Sequence, residues 1–138
     1  MDTDGTDEKI LEALKQDSRI SYTDLAKDLD LSDVAVKKRI DKLTSGKVIK
    51  NFTINLDYKQ INKPVHAFIL VKCVPSDAEK FREFVKENTE IIRVLPSIGE
   101  YDYIIEAATK DVESLRKLAE ENLGNVRGVL QVRTLLVV

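Results

Sequence analysis

Residues 21–50 constrain the fold most, because they have the pattern of two short helices joined by a tight turn. Ser21 and Ser32 each precede a helical segment, and a serine hydroxyl is suited to cap the first backbone N–H groups of a helix. Apolar residues recur on one face at helical spacing: Leu25, Ala26 and Leu29 in the first segment, and Val36, Ile40 and Leu43 in the second. Helices joined by so short a connector must cross steeply, as in a helix-turn-helix.

Charge distinguishes this pair from a plain helical hairpin. Residues 37–50 contain six basic residues and one acid, a balance of +5, whereas residues 1–36 contain four basic and ten acidic residues, a balance of −6. A basic second helix on an acidic remainder is attracted to phosphate through one face only, which sets orientation as well as affinity. A lysine-rich solvated face is the alternative interpretation, but the helix-turn-helix spacing favours nucleic acid.

Composition limits the classes of protein to which the chain can belong. Its 138 residues suffice for one ordinary domain or two small ones, and 43% hydrophobic with 33% charged residues indicates a globular chain with a core. The net charge of −2 argues against indiscriminate coating of nucleic acid, whereas a local basic helix remains compatible with specific binding. With no apolar run of membrane-spanning length and an acidic N-terminus, we expect no membrane partner and a cytoplasmic location.

The remaining pattern predicts three helices first and a mixed module afterwards. Thr6 is the expected cap of a first helix ending near residue 16, whose apolar residues Ile10, Leu11 and Leu14 pack on the helix pair. Alternating Phe52, Ile54 and Leu56 predict a half-buried strand, either a wing or a link. We therefore expect a winged-helix-like helix-turn-helix domain (1–50), a short strand linker (51–63) and a second domain (64–138).

The second domain has the order β-α-β-β-α-β. Strands are predicted at residues 66–74, 91–98, 101–108 and 129–138, and helices at 77–88 and 111–124. The inward residues of these helices are Phe81, Phe84 and Val85 in the first, which Ser76 would cap, and Val112, Leu115, Leu118 and Ala119 in the second. This order predicts an α+β, ferredoxin-like sandwich with two helices on one face of an antiparallel sheet.

The other face of that sheet is predicted to lack a cover. The strands carry apolar residues on both faces, including Phe68, Leu70, Leu135 and Val137. Because a large exposed apolar patch is unfavourable for a monomer, we expect self-association through this domain.

Several short groups of residues carry a resemblance to a known family. They are Asp4 with Asp7, Ile10-Leu11, Arg19-Ile20-Ser21, Leu25-Ala26, Leu31-Ser32, Arg39-Ile40, Leu43, residues 46–49 and residues 99–103. Each group is a weak motif by itself, but together and in this order they resemble the Lrp/AsnC (feast/famine) family of prokaryotic transcription regulators. The resemblance covers residues 4–138. It implies an operator-binding homodimer, often a tetramer or octamer, with an amino-acid effector bound where dimers meet, and it implies no cofactor.

The resemblance and the helix pattern together predict the residues that contact double-stranded DNA. They are Ser21, Tyr22, Ser32, Asp33, Val34, Lys37, Lys38, Arg39 and Lys42. Base contacts usually concentrate at the start of the recognition helix, the second of the pair, and its lysines suit phosphates or base edges. Arg39 either braces the helix or holds a phosphate. Asp33 and Val34 depart from the small or polar residues usual in the family, and Asp30 replaces its usual turn glycine.

The expected effector site is the loop Gly99, Glu100, Tyr101 and Asp102. Tyr101 and Asp102 are poor fillers of a hairpin turn, which suggests another reason for their presence. The Asp102 carboxylate suits an α-ammonium group, and the Tyr101 ring suits an apolar side chain. The alternative is purely structural: Asp102 caps the turn and Tyr101 packs in an interface.

Nothing in the sequence predicts an enzyme or a metal site. The single histidine, His66, begins an apolar strand, the single cysteine, Cys73, lies in the same run, and metal-ligand or glycine-rich phosphate motifs are absent. The competing hypothesis is a small-molecule-sensing oligomerisation module whose helical domain binds protein. RNA binding is a weaker one, because no basic strand with interleaved aromatic residues is present.

Overall fold

Three helices make up the first of two units into which the chain divides. The structure is a computed structural model that describes residues 2–138, with one unit ending at Asn55 and the other spanning Leu56–Val138. The helices are α1 (Gly5–Gln16), α2 (Tyr22–Leu29) and α3 (Asp33–Ser45). Within the described residues, no helix is long and apolar enough to cross a membrane.

The core of the first unit is formed by the predicted apolar stripes. Ile10, Leu25, Val36 and Leu43 are fully buried, and Ala26 and Ile40 are nearly so. Leu11, Leu14, Ile20 and Leu29 pack against this cluster. Amphipathic helices this short gain most of their stability from burying such a face, so the three helices depend on one another.

The predicted cap of α1 is wrong. Asp4, not Thr6, caps the helix: its carboxylate accepts the Asp7 N–H at 2.8 Å, and the Asp7 carboxylate accepts the Asp4 N–H at 3.2 Å. This reciprocal pair is a capping box built from two aspartates. Thr6 lies inside the first turn, where its hydroxyl has no such role.

The turn between α2 and α3 is tight because one residue adopts a left-handed conformation. Asp30 has φ 55° and ends α2. This region is costly for most residues with a side chain, although Asp tolerates it better than most. The N–H of Leu31 then donates to the carbonyl of Ala26 at 2.9 Å, which closes the helix end.

The predicted linker strand is also wrong. No strand forms between α3 and a 3₁₀ turn at Tyr58–Ile61, so the first unit has no wing. Phe52, Ile54 and Leu56 are all exposed, and the first two border a surface cavity of about 770 Å³ beside α1. A strand requires a hydrogen-bonding partner, and the described residues provide none here.

The second unit is the predicted four-stranded antiparallel sandwich. Its strands are β1 (Val65–Cys73), β2 (Ile91–Pro96), β3 (Tyr103–Thr109) and β4 (Val129–Leu136), in the order β2-β3-β1-β4. Its helices are α4 (Ala78–Glu87) and α5 (Val112–Arg116), which continues as a π-helix, Lys117–Leu123. β2 lies at an edge of the sheet and has a bulge at Ile91/Arg93.

The helices of this unit begin differently from the prediction. A 3₁₀ turn, Pro75–Asp77, precedes α4, which has no side-chain cap, so Ser76 does not cap it. Val112 is exposed rather than inward, because it is the first residue of α5. Phe81 is buried, with Phe84 and Val85 packed beside it, as predicted.

The sheet has one covered face and one open face. Ala67, Ile69 and Val71 of β1 belong to the buried cluster under the helices. Successive side chains of a strand point to opposite faces, so Phe68 and Leu70 point away from that cluster. Cross-strand partners share a face, and the register adds these residues to the open face: Ile104, Glu106, Leu95, Arg93, Arg133 and Leu135.

Candidate nucleic-acid interface and effector loop

The recognition helix α3 separates its apolar and basic residues. Val36, Ile40 and Leu43 are buried, whereas Lys37, Lys38 and Lys42 are exposed. A continuous buried stripe fixes the helix on its unit and leaves the lysines on the outward side. The arrangement presents three positive charges on one solvent-facing surface.

The two predicted serine caps are present at the helix starts. The Ser21 hydroxyl accepts the Asp24 N–H at 3.0 Å, and the Ser32 hydroxyl accepts the Ala35 N–H at 3.1 Å. Each hydroxyl satisfies a backbone group that has no partner within its helix. Both serines are exposed, so they position the two helix starts at the surface.

A side-chain hydrogen bond joins these helix starts. The Thr23 hydroxyl donates to Oδ2 of Asp33 at 2.8 Å, linking the first turn of α2 to the first turn of α3. Val34, the next residue, is 76% exposed, and Tyr22 is 41% exposed. Exposed Val34 therefore follows the oriented carboxylate in sequence, and exposed Tyr22 precedes the threonine that orients it.

Arg39 is engaged by two carboxylates of α1. Its Nη1 atom lies 2.9 Å from both carboxylate oxygens of Asp4 and 3.0 Å from Oδ1 of Asp7. The hydrogen bond from Arg39 holds the pKa of Asp4 below its ordinary value. In turn, the hydrogen bond to Asp4, and secondly the one to Asp7, raises the pKa of Arg39. Of the two roles considered for Arg39, these contacts favour bracing α3 against α1.

The lysines of α3 do not share one electrostatic environment. Lys38 and Lys42 border a surface cavity of about 430 Å³ whose other walls include Asp2, Asp4 and Asp7. Lys37 does not line this cavity. These acids reduce the local positive potential near Lys38 and Lys42, whereas Lys37 lies one helical turn from Asp33 and from Asp41 of α3 itself.

The loop between β2 and β3 is held chiefly by Asp102. Oδ2 of Asp102 accepts the Cys73 N–H at 2.9 Å, and the Asp102 N–H donates to the Val71 carbonyl at 2.9 Å. The Asp102 carbonyl accepts the Ser97 N–H, also at 2.9 Å. Burial, with Asp102 adding to it, raises the pKa of the Cys73 thiol.

The tip of this loop is open, and one polar atom within it has no partner. Gly99 has φ 138°, and a side chain added there would meet nothing within 4 Å. Glu100 is exposed. The Tyr101 hydroxyl is buried and has no hydrogen-bond partner among residues 2–138. Leaving a buried hydroxyl without a hydrogen-bond partner costs about 1–3 kcal/mol of stability, so a polar group that bonds to the Tyr101 hydroxyl would be stabilising.

Family models match both units. An AsnC-type helix-turn-helix domain covers residues 4–44, and an Lrp/AsnC ligand binding domain covers residues 66–138. The chain belongs to the Lrp/AsnC family. It is an Lrp/AsnC-type transcriptional regulator with a helix-turn-helix and a ligand-binding domain, and the prediction that it is not an enzyme agrees with these families and with its relatives.

Individual Lrp/AsnC proteins match nearly the whole chain. The HTH-type transcriptional regulator LysM of Sulfurisphaera tokodaii is 34% identical, over 99% of this chain and 95% of LysM. The structure of B. subtilis LrpC is 25% identical with a TM-score of 0.88, covering 99% of this chain and 95% of LrpC. The Neisseria meningitidis regulator NMB0573, solved in complex with L-Met, has a TM-score of 0.89 at 24% identity, over 99% and 90% of the two chains.

The Lrp/AsnC resemblance did not predict every residue that shapes these sites. Thr23 orients Asp33 through a hydrogen bond. The carboxylates of Asp4 and Asp7 hold Arg39. Ser97 holds the loop between β2 and β3, because its N–H donates to the Asp102 carbonyl and its hydroxyl donates to the Tyr101 carbonyl at 2.7 Å. Only the Asp4/Asp7 pair left a sequence signal, since two capping residues three apart suggest a capping box. The described residues contain no group of three or more His, Cys, Asp or Glu suited to a metal ion.

Proposed function

We propose that this Lrp/AsnC regulator binds operator DNA as a homodimer through α3 and responds to an amino acid or a related small molecule. The exposed lysine face of α3, set opposite its buried stripe in a family helix-turn-helix domain, carries the proposal. A recognition helix of this kind lies in the major groove with its first residues toward the base edges. Lys37 and Lys38 then meet phosphates, with Lys42 further along the helix.

Dimerisation follows from the needs of DNA recognition and from the open face of the sheet. One small helix-turn-helix unit makes few contacts, and two units related by a two-fold axis read half-sites about 34 Å apart. The open face offers Phe68, Leu70 and Ile104, which are half-buried, and Leu135, which is 51% exposed. Charged groups such as the Glu106–Arg93 pair, 3.7 Å apart, border it. A second copy would cover the apolar part of this face.

The effector proposal rests on the loop Gly99–Asp102 and on the matched ligand-binding domain. The unpartnered Tyr101 hydroxyl and the open space at Gly99 supply a polar group and room for a small molecule. An α-ammonium group suits the Asp102 carboxylate, which uses one oxygen for the Cys73 N–H. The L-Met complex of NMB0573, a protein of the same fold, makes an amino acid the first class to test.

A gel shift against the DNA immediately upstream of the protein's own gene tests DNA binding. We expect a discrete complex that survives excess unrelated duplex, because specific sites bind far more tightly than non-specific ones. Lys37→Ala combined with Lys38→Ala should weaken it strongly, and Lys9→Ala, a matched exposed lysine on α1, should not. If neither this DNA nor any duplex selected from a random pool binds specifically, a protein-binding role of the helical unit becomes the better account.

Thermal melts with each of the twenty amino acids test the effector site. We expect at least one amino acid to raise the melting temperature of the parent protein, since a ligand that binds only the folded state stabilises it. Asp102→Asn keeps an oxygen for the Cys73 N–H and removes the charge, so it should abolish the shift while preserving the fold. Glu83→Gln, at an exposed position on α4, is the matched control. A parent protein that responds to no amino acid would leave Asp102 and Tyr101 with a structural role only.

A further inference from the structure

We propose that Asp33 and Val34 determine sequence specificity by contacting a cytosine and a neighbouring thymine in each half-site. The inference rests on the proposed DNA-binding function and specifies what α3 recognises. Both side chains are exposed in the first turn of α3, the part of a recognition helix that meets base edges. Neither is a residue suited to phosphate: one is negative and the other is apolar.

Asp33 is oriented before any DNA arrives. Its Oδ2 atom accepts the Thr23 hydroxyl at 2.8 Å, a bond between α2 and α3 that restricts the side chain. An ionised carboxylate only accepts hydrogen bonds. It therefore needs a donor in the groove and is repelled by phosphates, so its presence on this surface favours one class of base edge over the others.

Cytosine is the base that best satisfies this carboxylate. Its edge presents the N4 amino donor, whereas guanine presents the acceptors N7 and O6, and thymine presents the acceptor O4. Adenine has an amino donor at N6, but its N7 acceptor lies beside it and repels a carboxylate. Asp33 should consequently favour cytosine on the strand that it faces and disfavour guanine most.

Val34 requires a different partner. Its side chain is 76% exposed and has no polar atom, so burying it against a polar base edge would gain little. The C5 methyl of thymine is the apolar feature of the major groove. Adjacent helical residues point about 100° apart, which directs Val34 and Asp33 to neighbouring base pairs rather than to the same one.

A purely structural role explains only part of this arrangement. An acid in the first turn interacts favourably with the helix dipole, and Thr23 gives Asp33 a local partner. Those effects do not depend on which base is present, and they do not explain why Val34 is exposed. The two accounts therefore differ in whether base preference changes when these side chains change.

Selection of duplexes from a random pool by full-length protein distinguishes the accounts. Asp33→Asn keeps an acceptor for Thr23 and should move the preference at one position per half-site from cytosine to adenine, since an amide pairs with N6 and N7 of adenine. Asp41→Asn makes the same charge change eight residues further along α3 and should leave every preference unchanged. Thr23→Val frees Asp33 without changing charge and should weaken the cytosine preference.

Replacing the neighbouring thymine by deoxyuridine tests Val34, because it removes only the methyl group. The parent protein should lose about threefold to fourfold in affinity for each half-site in which the thymine is replaced, the effect of one buried methyl group. Val34→Ala should bind thymine and deoxyuridine duplexes with nearly equal affinity. Circular dichroism melts establish that each variant is folded at the binding temperature.

The failure of this inference is distinguishable from the failure of the proposed function. A parent protein that selects no sequence contradicts DNA recognition itself. The second case is a parent protein that selects a clear site, while Asp33→Asn and Asp41→Asn show the same base preferences at every position and deoxyuridine duplexes bind as tightly as thymine duplexes. That result overturns the roles of Asp33 and Val34 and leaves operator binding intact.

Discussion

At the scale of single residues, Asp4 joins two parts of the first unit. Its carboxylate caps α1 through the Asp7 N–H and also contacts Arg39 of α3. The first contact is local and needs only an oxygen acceptor, whereas the second depends on charge. Asparagine at this position would keep the cap and remove the charge, which separates the two contributions.

Asp4→Asn should lower the melting temperature at pH 7 and have less effect in acid. Arg39 depresses the pKa of folded Asp4 below its ordinary value, which is about 3.9. The contribution of the charge is thus fully present above that value and is lost as pH falls through the folded pKa. Melts of parent and variant should converge as the pH falls below the folded pKa of Asp4, and Asp2→Asn is the control. An unchanging difference across this range would show that Arg39 does not act through the Asp4 charge.

Sequence alone predicted the caps at Ser21 and Ser32 but not the polar side-chain contacts between helices. A serine cap depends on backbone groups two or three residues away, so its signal is local. The Thr23–Asp33 and Asp4–Arg39 pairs span 10 and 35 residues and exist only after the helices pack. The contact of Asp102 with the Cys73 N–H spans 29 residues, so a local sequence pattern could not predict it either.

At the scale of elements, the turn between α2 and α3 depends on an unfavourable residue. Asp30 adopts φ 55°, a left-handed conformation that is costly for a residue with a side chain. Asp30→Gly should raise the free energy of unfolding by about 0.5–1 kcal/mol, since glycine adopts this conformation without steric cost. Asp28→Gly, within α2, should instead lower it slightly, by about 0.1–0.3 kcal/mol, the difference in helix propensity between Asp and Gly. Urea melts measure both, and a destabilised Asp30→Gly would mean that the aspartate contributes to the turn.

The elements that sequence patterns missed depend on pairing or on packing. Phe52, Ile54 and Leu56 alternate as a strand does, yet alternation does not supply a hydrogen-bonding neighbour, and the segment stays unpaired. The helix predicted at 111–124 is present, but its second half winds as a π-helix, which periodicity over so few residues does not separate from an α-helix. By contrast, the four strands and the buried stripes followed directly from periodicity.

At the scale of the whole molecule, we expect the open face of the sheet to form the dimer. Leu135→Lys should convert a dimer or larger assembly into monomer at micromolar concentration, because it places a charge in the apolar part of that face. Leu136→Lys is a close control: it is 55% exposed, compared with 51% for Leu135, but points to the other face. Light scattering measures the mass. A parent protein that is monomeric, or an unaffected Leu135→Lys, contradicts this interface.

The most direct test of the account is the salt dependence of DNA binding. Affinity for a selected duplex should fall linearly with the logarithm of salt concentration, and Lys37→Ala should reduce the slope by about 0.9 per lost phosphate contact, hence about 1.8 in a two-fold dimer. Lys9→Ala on α1 should leave the slope unchanged. If Lys37→Ala combined with Lys38→Ala alters neither affinity nor slope, α3 is not the surface that binds DNA.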